Sequence, residues 1–361
     1  MSILSDDIGS FPLPNGISRN EISPITSLSL GDFQKNLKIA EGIARKEISK
    51  ESELFGRFSN VVQDAMLKKV LANVDVPTYP QFRDMIASFY NLIEKFQSDE
   101  PFVIKDEYAL IPELLVLSSD KFREKLENFG IECINLRVCV TGPVDLYLNK
   151  IGFQIDGEIL ANFAKSVGKF VKNAIIAQKF IKTTVIAIDE PSVGLNSNMI
   201  ASDEDLINGW NIAIDAAKKN GIDTEIHLHS INKVDTVLKS NINVIDADVE
   251  NLKDRYSLQK NDLERYDKFM RAGIAKSNVF DIVEDYKRIY NIDLWQTKNY
   301  AQIFEVETQK VITERLKKAY EIYGERIKYA GPTCGLGSWP TQETASKLLR
   351  YTSNAVHCAD F

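Results

Sequence analysis

Short runs of apolar and β-branched residues alternate with longer amphipathic stretches along this chain. That alternation restricts the fold more than any other feature. Strand candidates lie at Asp6–Phe11, Val74–Tyr79, Leu136–Gly142, Thr184–Asp189, Glu225–Ser230, Ile242–Asp248, Met270–Ala275 and Ile327–Gly331. Most lack strict polar alternation, as strands covered on both faces do. Between them, Phe163–Ile181 repeats apolar residues every three or four positions. In Val306–Tyr323, the residues Val306, Val311, Ile312, Leu316, Ala319 and Tyr320 share one helical face. Alternating β and α elements imply a parallel sheet. Eight strands imply an α/β fold of one eight-stranded parallel β/α (TIM) barrel. A doubly wound open sheet is the alternative, but no G-x-G-x-x-G follows the first strand. No linker or repeat divides the chain, so residues 1–361 are expected to form a single domain. Residues 14–59, with a helix expected over Asp32–Ser52, read as an N-terminal helical insertion capping the barrel.

Composition removes several function classes. The 361 residues are 44% hydrophobic and 26% charged, with a net charge of -7, so an acidic soluble protein is expected. Nucleic-acid binding needs basic patches and is not expected. No apolar run nears the roughly 20 residues of a membrane span. The start, Met1–Asp7, lacks a basic segment followed by an apolar core. The cysteines at 133, 139, 334 and 358 have no scaffold spacing. Free thiols in a reducing cytoplasm are the simplest expectation.

The barrel directs attention to the C-terminal strand ends, where sites in this fold lie. Ser10, Tyr79, Thr141, Asp189, Glu190, His227, His229, Asp248 and Cys334 all fall at or just after expected strand ends. On a strand, His227 and His229 share a face. With Cys334 in the Gly-rich turn Gly331–Gly335, they offer two imidazoles and a thiolate, ligand types that zinc prefers. Ile245–Glu250 adds three carboxylates on one strand face: Asp246, nearer the barrel middle and suited to a structural role, and Asp248 or Glu250, either of which can reach a metal. Two His, one Cys and one carboxylate complete a tetrahedral set. A hydrogen-bonded histidine pair and a buried apolar cysteine remain the alternative.

Other motifs are weaker alone. Asp189 and Glu190 close the most apolar strand and can bind an amine or move protons. An anchoring role suits Glu190 better than Asp189. Ile8-Gly9-Ser10 can offer backbone N–H groups and a hydroxyl to an anion. Thr141–Val144 reads as a strand-end turn, Arg83-Asp84-Met85 as an ion pair within a helix or between loops, and His357 and Cys358 as incidental.

In order, Ile8–Pro12, Arg83–Met85, Thr141–Val144, Ile188–Pro191, His227–His229, Asp248 and Gly331–Leu336 span nearly the whole chain. This series resembles the catalytic C-terminal barrel of the cobalamin-independent methionine synthase family, in its short, single-barrel archaeal-type form. The resemblance implies a zinc-dependent methyltransferase that converts homocysteine to methionine. It places His227, His229, Asp248 and Cys334 as metal ligands and Asp189, His227 and Cys334 as catalytic residues. Ile8, Ser10 and Tyr79 surround the substrate, the Ser10 turn holding its carboxylate and Asp189 its ammonium group.

Four positions depart from the family pattern. His229 replaces a Cys ligand, leaving one protein thiolate. Asp248 replaces a longer Glu. Tyr79 stands where the long enzymes place a substrate-binding Glu, and Asn149 near their folate-stacking Trp. The last change favours methylcobalamin or a methylated corrinoid protein over methylfolate as donor. Three other readings are methylation of another thiol such as coenzyme M, the uroporphyrinogen-decarboxylase side of the barrel superfamily, and a non-catalytic accessory paralogue. Asp189 argues against the first, and the second would need an Arg cluster that the strand ends lack.

Overall fold

The computed structural model describes residues 2–17, 53–195, 197–247 and 258–359. A curled, all-parallel sheet forms its centre. Its strands are β1 (Leu4–Ser5), β2 (Ile134–Thr141), β3 (Ile181–Asp189), β4 (Asp223–His227), β5 (Val244–Ala247), β6 (Phe269–Ala275) and β7 (Ile327–Pro332). The spatial order is β1-β7-β6-β5-β4-β3-β2. Each strand from β2 to β7 thus lies beside its sequence neighbour, with β1 returning against β7. Helices connect the strands, as parallel pairing requires.

Among the described residues the sheet has seven strands and is not the expected closed barrel of eight. Val74–Tyr79, expected as a strand, runs between the edge strands β1 and β2 but makes only isolated bridges. Asp6 pairs with Val76 and Thr78 with Arg137. Val76 N–H donates to Ser5 O at 2.9 Å, and Arg137 N–H donates to Pro77 O at 3.1 Å. Pro77 and Pro80 have no N–H to give, so a continuous ladder cannot form here. β1 is similarly short: Asp6–Phe11, also expected as a strand, lies beyond it and makes only two isolated bridges, Asp6 to Val76 and Ser10 to Gln81. The expected capping segment lies mostly outside the described residues. Its C-terminal end, Glu53–Ser59, belongs to the helix Glu53–Leu71.

Two helices show how the outer layer forms. Gly157–Asn173 buries Leu160, Phe163, Ala164, Val167, Phe170 and Val171 on one stripe, and Asp156 caps its first turn. It stops eight residues before the expected Ile181, because Ile181 begins β3. Gln309–Tyr323 buries Ile312, Leu316, Ala319 and Tyr323, with Thr308 as N-cap. It starts three residues later than the expected Val306. No helix among the described residues is long and apolar enough to cross a membrane.

Inside the curl, inward-facing positions form layers. Val76, Val185, Val244 and Tyr329 make a small apolar floor. The next inward positions on several strands are charged and fully buried: Arg137 on β2, Glu225 on β4 and Arg271 on β6, with Asp6 just beyond β1. A buried charge is tolerated only when paired. Arg137 accordingly binds Glu225, and Arg271 binds Asp6, Nε to Oδ2 at 2.8 Å. Above this charged layer the sheet opens into the candidate site.

Candidate metal and substrate site

The parallel register lines up the strand ends. Thr141 pairs with Asp189, Asp189 with His227, and His227 with Asp246. β4 ends at His227, so His229 lies two residues beyond it and strand alternation does not set its direction. The two rings nevertheless converge, Nε2 to Nε2 at 3.1 Å. Cys334 follows β7 and brings Sγ to 3.7 Å from His227 Nε2 and 3.6 Å from His229 Nε2. One atom from each of the three side chains lies within 4.8 Å of the others. Among the described residues no other group of His, Cys, Asp or Glu is gathered this way. Asp248 and Glu250, the expected carboxylate ligands, lie outside the described residues.

Why Cys334 arrives here is legible in its neighbours. A Cβ on Gly335 would sit 1.8 Å from Ser10 Oγ. Glycine lets the Cys334 loop press against the Ser10 turn without displacing the Ser10 hydroxyl, and there Leu336 N–H donates to Ser10 O at 2.8 Å.

Asp246 holds His227 Nδ1 at 2.5 Å. With Nδ1 donating to the carboxylate, Nε2 faces His229 and Cys334, where it can donate to the thiolate in the metal-free protein and, once it gives up that proton, ligate a metal, an arrangement common beneath metal-binding histidines. Burial pushes the Asp246 carboxyl up, but Arg271 and His227 outweigh it and bring it down to about 2. Asp246 therefore stays ionised. Burial raises the Cys334 thiol, yet hydrogen bonds from the two imidazoles pull it down to about 5. A thiolate beside two imidazoles is the electronic arrangement that a soft or borderline cation stabilises.

A pocket of about 230 Å³ opens beside these groups. Its walls include Ile8, Ser10, Tyr79, Gln81, Arg83, Phe89, Glu113, Asp189, His227, His229 and Cys334. All the expected substrate residues are therefore brought together. Asp189 is only 7% exposed, and its Oδ1 has no hydrogen-bond partner within the protein. Burial pushes its carboxyl up to about 6, against weaker opposing pulls from His227 and Arg137. Tyr79 lines the wall while its hydroxyl is engaged, donating to Cys139 O at 2.8 Å and accepting from Gln81 Nε2 at 3.1 Å.

The remaining motif residues serve the frame. Glu190 accepts from Val144 and Asp145 N–H at 3.0 and 2.8 Å and from Trp210 Nε1 at 3.0 Å, anchoring the helix Pro143–Lys150. Thr141 Oγ1 donates to Met85 O at 2.8 Å. Asp84 caps the helix Met85–Lys95, and Arg83 makes a two-pronged pair with Glu113 at 2.7 and 2.8 Å. Asn149 stands outside the pocket wall and donates to Asp145 O at 2.9 Å. His357, at the far end of the chain, pairs with Asp75 at 2.8 Å. Sequence reasoning missed Arg271, Glu113 and Gln81. Arg271 carried a signal, a lone charge inside the apolar run Met270–Ala275. Glu113, in the first turn of a short helix, looks like an ordinary surface acid and carried none.

No protein-family model matches the chain, and no curated protein matches it. Solved structures do. A B12-independent methionine synthase from Shewanella sp. W3-18-1, in complex with selenomethionine, superposes with a TM-score of 0.56 at 13% identity. The match covers 99% of this chain and 97% of that one. A putative vitamin-B12 independent methionine synthase from Listeria monocytogenes gives 0.54 at 14% identity, covering 99% and 97%. The chain has the fold of these proteins. The fold likeness agrees with the family resemblance carried by the sequence motifs.

Proposed function

We propose that the protein is a zinc-dependent methyltransferase that transfers a methyl group to the thiol of homocysteine. The observation that carries this reading is the convergence of His227, His229 and Cys334 on one point of a pocket that is also lined by buried Asp189, whose Oδ1 has no partner in the protein. The donor set of two imidazoles and one thiolate fits zinc, and the Asp246 hydrogen bond gives His227 the orientation such a ligand needs. Asp248 is the fourth protein ligand in this reading, with Glu250 as the alternative. When bound, zinc supplies a lowered pKa to a substrate thiol near neutral pH.

The chain's own residues do the rest. Asp189 receives the substrate ammonium group, which satisfies a carboxylate that is otherwise buried alone. Ser10 and the Ile8–Ser10 turn receive the substrate carboxylate, and Tyr79 closes the wall beside them. These contacts aim the sulfur at the metal-ligand cluster. The substrate sulfur then forms its S–CH₃ bond with its own electron pair, and the donor leaves with the pair of the broken bond.

A methylcorrinoid is the preferred donor. Asn149 bonds to its own helix and offers no aromatic face for a pterin ring. Homocysteine methylation by zinc-loaded protein, with methylcobalamin and with methyltetrahydrofolate in turn, tests the reading. Faster turnover with methylcobalamin is expected. Efficient turnover with methylfolate would overturn the donor assignment, and no turnover with any donor or corrinoid protein would overturn the activity.

A further inference from the structure

We propose that Arg271 is a positioning residue that fixes the spacing between the two halves of the ligand set, His227 on β4 and Cys334 after β7. The inference rests on the metal reading above. Arg271 is fully buried on β6, between those strands in the sheet. Its guanidinium makes three contacts in three directions. Nη1 donates to Asp246 Oδ1 at 3.1 Å, and the other oxygen of that carboxylate holds His227 Nδ1. Nη2 donates to Pro332 O at 3.0 Å, two residues before Cys334. Nε donates to Asp6 Oδ2 at 2.8 Å, which fixes the planar group from behind.

One rigid fork therefore reaches both arms of the site. A guanidinium suits this task because its donors lie in one plane at fixed angles, whereas an ammonium can satisfy only part of the set in any pose. The backbone makes room for it. A Cβ on Gly331 would lie 2.4 Å from Arg271 Nη2 and 2.4 Å from Asp6 Oδ1. Glycine at 331 thus allows β7 to come close enough for its Pro332 carbonyl to be held. If Arg271 contributed only buried charge balance, its pairing with Asp6 would suffice. The contact to Pro332 O is the part that a charge-balancing role leaves unexplained.

The test compares wild type with Arg271→Lys, Arg271→Met and Asp6→Asn. Lys268→Met serves as control. Lys268 is also a buried cation, but it binds Ser240 O and Ile242 O at the opposite end of the sheet. Zinc affinity is read by competition with a chromophoric chelator, fold by the thermal midpoint of metal-free protein. The cobalt-substituted protein adds a sulfur-to-cobalt absorption band that reports the Cys334 bond.

Arg271→Met should lower zinc affinity about 10–100-fold, the usual range for groups that orient metal ligands, and weaken the cobalt band. Arg271→Lys should recover part of both. Asp6→Asn keeps the side chain's shape and carries the test if the Arg271 variants do not fold. It should weaken zinc binding in a protein that still folds, at a lower midpoint because two buried guanidinium groups lose a charged partner. In an Asp246→Asn background, Arg271→Met should cost less, because one of its two routes is already gone. Lys268→Met should lower the midpoint and leave zinc affinity unchanged. Folded Arg271→Lys and Asp6→Asn proteins with wild-type zinc affinity and an intact cobalt band would overturn the inference while leaving the metal reading standing. Wild-type protein that binds no zinc would overturn both.

Discussion

Replacing Asp189 with Asn should make the protein more stable and a poorer binder at the same time. In the metal-free protein the Asp189 carboxyl is buried, its Oδ1 lacks a partner, and it titrates near 6 against an ordinary 3.8. A shift of about two units corresponds to roughly 3 kcal/mol. The sign follows from proton binding. Between about pH 4 and 6 the folded state holds the proton more tightly than the unfolded chain, so stability falls as pH rises through that window. Above about pH 6 the penalty is complete. Asn does not titrate, so Asp189→Asn should gain up to about 3 kcal/mol at pH 8 and lose that advantage below about pH 4. Urea denaturation of metal-free protein across this range measures it. Binding should move the other way. Losing a charged hydrogen-bond partner costs about 1.5–3 kcal/mol, or roughly 10–150-fold in affinity for homocysteine. Calorimetry with homocysteine and with 4-mercaptobutanoate, its amine-free counterpart, separates the ammonium contact from the rest. Destabilisation at pH 8, or equal losses for the two thiols, would refute the reasoning.

Two further substitutions and one control probe the cluster. Cys334→Ala should abolish or strongly reduce zinc content by elemental analysis. Cys358→Ala, at an exposed position after the last helix, should leave it intact. Gly335→Ala should reduce zinc content and activity together, since turning the Ser10 hydroxyl away from the new Cβ still leaves it 3.0 Å from Ser10 Cβ. Unchanged metal content in that variant would count against the loop's role.

How far the sequence discloses this molecule depends on the kind of signal. Six apolar runs were readable because parallel strands covered on both faces need continuous hydrophobicity. Val74–Tyr79 misled because its apolar residues do pack inward, while Pro77 and Pro80 remove the donors that a ladder needs. His227, Cys334 and Asp189 were legible because polar residues that close apolar runs are hard to bury without purpose. Strand alternation alone does not account for His229: β4 ends at His227, and the turn beyond it does the aiming. The link from Asp246 through Arg271 to Pro332 O was not legible as a connection. Its members come from three strands, and which inward side chains meet depends on register and on the glycine at 331. The Arg83–Glu113 pair is similarly a matter of loop placement.

The central claim is that a metal held by this cluster takes up the substrate's sulfur. X-ray absorption at the zinc edge, on zinc-loaded protein with and without homocysteine, tests it most directly. Cys334 is the one cysteine in the cluster. The predicted spectrum of the free protein therefore has one sulfur at about 2.3 Å among nitrogen and oxygen ligands. Adding homocysteine should raise the sulfur count to two. An unchanged count at saturating homocysteine, or zinc with no sulfur in its first shell, would contradict the account.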